Sequence, residues 1–337
     1  MNIAINGFGR IGRLFFRQAF ENKNLNIVAI NDLGDVANLA YLLKYDSVYK
    51  TWDHDIRADA DRNLLFVDGK QIQFLQEKDP SKLPWKELGV DVVIESTGVF
   101  ESFEKARVHI DAGAKRVLLT APAKDADRDM GKTVLIGINE EKAAACKITS
   151  NASCTTNAAS PVMAVLAEKI GIEKAVLSTV HAYTATQSIV DGPVKGDDYR
   201  RGRAAAQNIV PSTTGAAKAV TRALPELDGK FDGIAIRVPV VSVSLVDLTF
   251  IAKKKTSAEE INVVLKEAAA SERWKGILGY TEDQVVSSDI VGMPYGSIVD
   301  AKFTKVIDGN LVKVLAWYDN EWGYVSTLLK HLERIGK

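Results

Sequence analysis

The sequence predicts an α/β chain in two parts: a parallel sheet wrapped by helices, then an α+β part with a mostly antiparallel or mixed sheet. Three observations carry this. The first half alternates short apolar runs with amphipathic segments, which implies right-handed crossovers between parallel strands. A glycine-rich turn at residues 7–12 sits between the first apolar run and the first amphipathic segment. After Cys154 the texture changes to longer runs rich in Val and Thr, which suit long strands. At 337 residues the chain exceeds one typical core, so two domains are expected.

The elements follow in order. Residues 3–6 read as a strand, 7–12 as the glycine turn and 13–21 as a helix by spacing. Residues 25–30 make a second strand and 36–44 a helix. The run Val92-Val93-Ile94 marks a buried strand at 91–95, followed by a helix at 103–112 and a strand at 116–120. Beyond Cys154 a helix is expected over 161–169, from the apolar pattern through Val162, Met163, Val165 and Leu166. Strands are expected at 174–182, 233–239, 241–253, 301–307 and 311–318, with helices at 257–271 and 324–335. Residues 183–203 hold three glycines, one proline and many charges with weak periodicity. A loop of that length in a compact domain usually serves function.

Bulk properties narrow the function. The chain is 46% hydrophobic and 26% charged, an ordinary globular composition. Basic and acidic residues balance at 43 each, so no nucleic-acid or membrane-surface partner is indicated. Two cysteines give no disulfide framework and suit a reducing compartment, hence a cytoplasmic location. Met1 leads straight into a strand, with no secretory signal and no bilayer-spanning apolar stretch.

Gly7-Phe8-Gly9-Arg10-Ile11-Gly12 fits G-x-G-x-x-G, a weak pattern alone. Its setting between a strand and a helix strengthens it, and Asp32 lies twenty residues past Gly12, just beyond the second strand. The glycines allow a tight turn and close approach of a pyrophosphate, the helix N-terminus stabilises its charge, and the acid binds ribose hydroxyls. This is the Rossmann dinucleotide fingerprint. A carboxylate at position 32 repels a 2′-phosphate, so NAD is favoured over NADP.

Ser-Asn-Ala-Ser-Cys-Thr-Thr-Asn at residues 150–157 is the most informative stretch of the chain. It sets Cys154 among small polar side chains just ahead of a helix, whose positive end favours the thiolate. Cys146, in Ala-Ala-Ala-Cys-Lys-Ile, suits a small buried hydrophobe instead. Of four histidines, His54, His109 and His331 suit solvated or lightly packed surface positions. His181 ends a strand beside the long loop, and with Cys154 it would make a thiolate–imidazolium couple. Ser153, Thr155, Thr184, Thr214 and Gly215 offer hydroxyl or backbone donors, and Arg201 and Arg237 offer charge, which suits an anionic substrate. Arg237 lies inside an apolar strand, where it needs either a buried carboxylate or a phosphate. No metal-ligand spacing stands out.

Four stretches together resemble phosphorylating glyceraldehyde-3-phosphate dehydrogenases. They are Ile5 through Arg13, the cysteine octet, His181-Ala182-Tyr183-Thr184, and Trp317-Tyr318-Asp319-Asn320-Glu321-Trp322-Gly323-Tyr324. The resemblance spans the chain. It implies an NAD-binding Rossmann domain at 1–153, with the helix in 320–337 packing back on it, and a catalytic domain at 154–319. It implies Cys154 as nucleophile and His181 as base. Ser153, Thr155, Thr184, Arg201, Thr214, Gly215 and Arg237 would contact glyceraldehyde 3-phosphate and inorganic phosphate. Gly7, Gly9, Arg10, Ile11, Gly12, Asp32, Lys78, Thr120 and Asn320 would contact NAD, and Pro193 sits where NAD-using members often carry proline. The 183–203 segment would lie at the subunit interface of a homotetramer.

The chain departs from the family pattern in three places. Ala158 replaces a frequent second cysteine, Lys78 stands where arginine is frequent, and the loop near Gly196 is slightly longer than in some bacterial forms. Three rival functions are weighed on sequence alone: action on another phospho-sugar aldehyde such as erythrose 4-phosphate, a cysteine hydrolase or acyltransferase without redox chemistry, and a binding role in which the catalytic residues are idle.

Overall fold

The computed structural model describes residues 1–194 and 196–335. Lys195, inside the long loop, and Gly336 and Lys337, at the end of the expected 320–337 segment, lie outside the described residues. The chain divides into two compact units. The first comprises residues 1–134, 139–152 and 328 onward; the second comprises 135–138 and 153–327.

In the first unit, strand β1 (Asn2–Asn6) leads to helix α1 (Arg10–Phe20), then β2 (Asn26–Asn31) and α2 (Val36–Lys44). A meander of β3 (Ile56–Asp59), β4 (Leu64–Val67) and β5 (Lys70–Leu75) follows. The unit continues through β6 (Val92–Glu95), α3 (Phe103–Asp111), β7 (Arg116–Leu119), β8 (Gly131–Thr133) and β9 (Ile148–Ser150). The nine strands form one sheet in the order β3-β4-β5-β2-β1-β6-β7-β9-β8. Only the β3–β4 and β4–β5 pairs are antiparallel. β1 lies between β2 and β6, both parallel to it, so the strand order reverses at β1. The crevice beyond the carboxyl ends of strands at such a switch point is where ligands bind in open α/β sheets. The central strand buries Ile3, Ala4 and Ile5 completely, as expected for a strand covered on both faces.

The second unit opens with α4 (Cys154–Lys169) and the long strand β10 (Ile172–Ala182). Then come β11 (Val210–Thr213), α5 (Ala216–Ala223), β12 (Phe231–Val238), β13 (Ser244–Ala252) and α6 (Ala258–Ala270). β14 (Leu278–Thr281), the short α7 (Ser287–Ile290), β15 (Ser297–Ile307) and β16 (Leu311–Tyr318) complete the sheet, and α8 (Trp322–Ile335) ends the fold. Its seven strands run β11-β12-β10-β13-β16-β15-β14 and are mixed: β10–β12 and β14–β15 are parallel, the other pairs antiparallel. α4 packs its buried Val162, Met163 and Leu166 with Leu177, Val246, Val314 and Ala316 of the sheet in one core.

Several expected bounds shift. α1 begins at Arg10, so Gly12 belongs to the helix and not to the turn before it. α4 begins at Cys154, seven residues ahead of Pro161, which sits inside the helix. Ser153 is its N-cap, accepting the Thr156 N–H at 3.1 Å. Among the described residues no helix is long and apolar enough to cross a membrane.

Two histidines expected at the surface are fully buried. His109 sits on the inner face of α3, where Trp85 Nε1 donates to its Nδ1 and its Nε2 meets Glu95. His331 sits on the inner face of α8, its Nδ1 at 3.1 Å from Asn151 Oδ1. Both find polar partners in the interior, which offset the cost of burial. Partners so distant in sequence leave no local trace. His54 keeps partial exposure between Glu21 and Asp68.

Candidate active site

In the second unit, parallel pairing sets His181 opposite Arg237 at the ends of β10 and β12. α4 brings its first residue to the same place, with Cys154 Sγ at 3.5 Å from His181 Nε2. Residues 27 positions apart thus form the expected pair. The other ring nitrogen, Nδ1, lies 2.6 Å from Ala182 O and 2.6 Å from Arg237 Nη1. Arginine only donates, so its bond requires a bare Nδ1 and a proton on Nε2. The bond to Ala182 O requires the opposite tautomer, with Nε2 bare and facing the sulfur. The site accommodates both.

Electrostatics change the expected resting state. Burial pushes the Cys154 thiol up, against the pull of Arg237 and of hydrogen bonds from Thr155. Burial lowers His181 to about 3, with Arg237 adding to the shift and the Ala182 carbonyl opposing it. At neutral pH the pair is a thiol beside a neutral imidazole. The thiolate–imidazolium couple expected from sequence arises only when the proton crosses from Sγ to Nε2. The reason is local: the imidazole's charged neighbour is a cation, and among the described residues no carboxylate sits against it.

In the first unit, a cleft of about 450 Å³ opens at the switch point. Gly7, Gly9, Asp32 and Lys78 line it. Gly7 holds φ +95°, and a Cβ on it would lie 2.6 Å from Thr97 N. A Cβ on Gly12 would lie 2.2 Å from Gly7 O. Gly9 differs: a Cβ there meets no protein atom within 4 Å. Packing within the chain does not require that glycine, whereas close approach of a ligand does. α1 carries no side-chain cap at its N-terminus, the arrangement that suits a phosphate. Asp32 clamps the glycine loop, accepting Phe8 N–H at 2.6 Å and Gly34 N–H at 2.8 Å. These residues fit a dinucleotide.

The family model described as "Glyceraldehyde 3-phosphate dehydrogenase, NAD binding domain" matches residues 1–103. The one described as "Glyceraldehyde 3-phosphate dehydrogenase, C-terminal domain" matches residues 153–320. Over 99% of both chains, the sequence is 54% identical to the glyceraldehyde-3-phosphate dehydrogenase of Thermotoga maritima. It is 49% identical to glyceraldehyde-3-phosphate dehydrogenase B of Aspergillus oryzae, again over 99% of both chains. Against glyceraldehyde-3-phosphate dehydrogenase 1 of Bacillus subtilis the identity is 48%, over 100% of this chain and 98% of that one. The chain belongs to the glyceraldehyde-3-phosphate dehydrogenase family. Its cofactor is NAD, and its first unit carries the family's NAD-binding domain.

The remaining residues named for this family from sequence divide into those the structure groups and those it sets apart. In the first unit the Arg10 guanidinium pairs with the buried Asp46, so its side chain is committed within the protein. Ile11 follows it in the first turn of α1. Thr120 closes β7 on the Glu95 carbonyl at 3.1 Å. Asn320 belongs to the second unit, where it is buried and accepts from Ser244 Oγ at 2.9 Å. Within the second unit, Ser153 Oγ lies 2.8 Å from Thr156 Oγ1. Thr155 is buried, its hydroxyl at 2.9 Å from Tyr318 OH. Thr184 pairs with Thr186 at 2.9 Å. Thr214 accepts from Ala216 N–H at 3.2 Å, and Gly215 is the N-cap of α5. Arg201 already has partners in Asp198 and Ser212. Among the described residues Arg237 bonds the His181 ring and the Ala182 carbonyl. The sequence left a buried carboxylate partner open for Arg237; among the described residues there is none, so its charge remains available to an anion.

Sequence reasoning missed Tyr318 as a site residue. Its ring lies 5.9 Å from His181, edge to face, and its hydroxyl ties Thr155 to Thr179 at 2.9 and 2.8 Å. The signal was present in the strict inward alternation of β16, where Tyr318 follows Val312, Val314 and Ala316 on the buried face. A tyrosine closing an apolar row needs a buried partner for its hydroxyl.

Proposed function

We propose that the chain oxidises D-glyceraldehyde 3-phosphate with NAD and inorganic phosphate to 1,3-bisphosphoglycerate, through covalent intermediates on Cys154. The observation that carries this is the 3.5 Å approach of Cys154 Sγ to His181 Nε2 at the first turn of α4, with Arg237 against the imidazole. His181 Nε2 takes the thiol proton, and the thiolate attacks the aldehyde carbon. The imidazolium returns a proton to the new oxyanion, giving a hemithioacetal. His181 then removes that hydroxyl proton as the carbon is oxidised to a thioester. NAD, when bound, accepts the departing hydride.

Inorganic phosphate attacks the thioester, forms the acyl phosphate and releases the Cys154 thiolate. Ser153, Thr214 and Gly215 supply its donors, with the Thr155 hydroxyl shared with Tyr318. Arg237, Arg201 and Thr184 hold the substrate phosphate. Engaging an anion draws Arg237 from Nδ1, which leaves Nδ1–H to donate to Ala182 O and Nε2 bare for its work as base. Glycine loop residues 7–12 and Asp32 hold NAD, assisted by Lys78, Thr120 and Asn320. The domains of this reading are 1–153 for cofactor and 154–319 for catalysis, in a cytoplasmic homotetramer.

Steady-state assay with glyceraldehyde 3-phosphate and phosphate, run with NAD and with NADP, tests the reading. Cys154→Ser is expected to lose nearly all turnover while its NAD affinity stays within about threefold. Retained turnover would sink the covalent mechanism. Equal kcat/KM for erythrose 4-phosphate would overturn the substrate assignment.

A further inference from the structure

The first unit contains a buried polar chain that the proposed chemistry does not use. Trp85, His109 and Glu95 are nearly or fully buried, and so are Asn6 and Asn31. The sense of each hydrogen bond is fixed by chemistry. Trp85 Nε1 can only donate, at 3.1 Å, so His109 Nδ1 accepts. The His109 proton therefore sits on Nε2 and faces Glu95 Oε2 at 2.9 Å. The same Oε2 accepts from Asn6 Nδ2 at 2.6 Å, which turns Asn6 Oδ1 toward Asn31 Nδ2 at 2.7 Å. Asn31 then reads both backbone groups of Glu77: its Nδ2 donates to the carbonyl at 3.0 Å, and its Oδ1 accepts the N–H at 2.9 Å. The other oxygen of Glu95 accepts the Thr97 N–H at 2.9 Å and the Thr97 hydroxyl.

The arms that leave the Glu95 carboxylate through Asn6 and through Thr97 end on the wall of the NAD cleft. Asn6, Asn31, Glu77 and Thr97 all line it. Phe100 lines it as well, and the His109 ring lies 5.8 Å behind Phe100, edge to face. Every group facing the Glu95 carboxylate is a donor, so an acceptor-only side chain is required there. We propose that Glu95 and His109 are a positioning pair that sets the walls of the NAD cleft, and that cofactor affinity depends on the polarity of this relay. Neither residue touches reacting atoms; they act through Asn6, Asn31, Thr97 and Phe100. The proposal rests on NAD as the occupant of the cleft.

The test uses the full-length protein and titrates NAD by calorimetry, alongside kcat at saturating NAD and the alkylation rate of Cys154. Glu95→Gln keeps the shape but turns donors toward donors. It is expected to weaken NAD binding at least tenfold, with kcat at saturating NAD and Cys154 alkylation within about threefold of the native protein. His109→Leu removes both ring hydrogen bonds and is expected to weaken NAD binding by a similar factor. His109→Gln can still accept from Trp85 and donate to Glu95, and is expected to recover most of the affinity. If Glu95→Gln does not fold, the His109 pair decides alone. Equal NAD affinity for His109→Leu and His109→Gln overturns the proposal, as does native affinity in a folded Glu95→Gln. Failure of the native protein to bind NAD would overturn the cofactor reading too. Native NAD binding without glyceraldehyde 3-phosphate turnover would overturn only the reaction assignment.

Discussion

Cys154 and His181 resist charge separately, and the proton shared between them decides reactivity. A buried thiol left alone stays protonated at neutral pH; beside a bare Nε2 it can lose its proton without changing the net charge of the pair. His181→Asn removes the acceptor and leaves the sulfur in the same surroundings. The alkylation rate of Cys154 at pH 7 is expected to fall at least tenfold, and its pH profile to move to higher pH as the thiol ionises alone. Native and variant profiles that superimpose would refute the pairing. Arg237 enters the same balance. It lowers His181 and favours the thiolate, so its removal acts on both partners at once.

At the scale of elements, the glycine loop and α1 form one device. Gly12 lies in the first turn of the helix, and its missing Cβ lets the Gly7 carbonyl approach. Gly12→Ala would place a methyl 2.2 Å from that backbone oxygen, so the loop or the helix must shift. The expected result is an NAD dissociation constant raised at least tenfold and a loss of about 1–3 kcal/mol in stability, read by denaturant titration. Unchanged NAD affinity would separate the loop from the cofactor. This motif was legible in the sequence because a tight turn, a helix start and a distant acid leave a fixed local spacing. The Cys154 helix was only half legible. Residues Thr155 to Leu166 are all buried, so no polar face gives the helical period, and the apolar pattern marks only the stretch from Pro161 on. The Glu95–His109 chain and Tyr318 left still less trace, since their partners come from elements 14 to 163 residues away. The strand meander β3–β5 was missed because its strands span only four to six residues, too few for alternation to stand out.

Across the whole molecule, buried neutral histidines make folding sensitive to acid. His331 falls from an ordinary 6.5 to about 3 because burial excludes water from its ring, and its Nε2 has no partner among the described residues. Between those values the unfolded chain holds a proton that the folded chain refuses. The stability this group contributes is therefore complete above pH 6.5 and is lost progressively as pH falls toward 3. By pH 5 the loss from one such group is about 2 kcal/mol. His331→Leu removes the titration and the unsatisfied nitrogen together, at the cost of the hydrogen bond to Asn151. At pH 7.5 the native protein and the variant are expected to differ by no more than about 1–2 kcal/mol. Between pH 7.5 and pH 5 the native Tm should fall more steeply than the variant's, because the other titrating groups, His181 included, are common to both. Thermal melts of the two proteins across that range give the difference directly. Parallel Tm curves would mean that His331 finds a proton-accepting partner in the fold and that its burial carries no acid sensitivity.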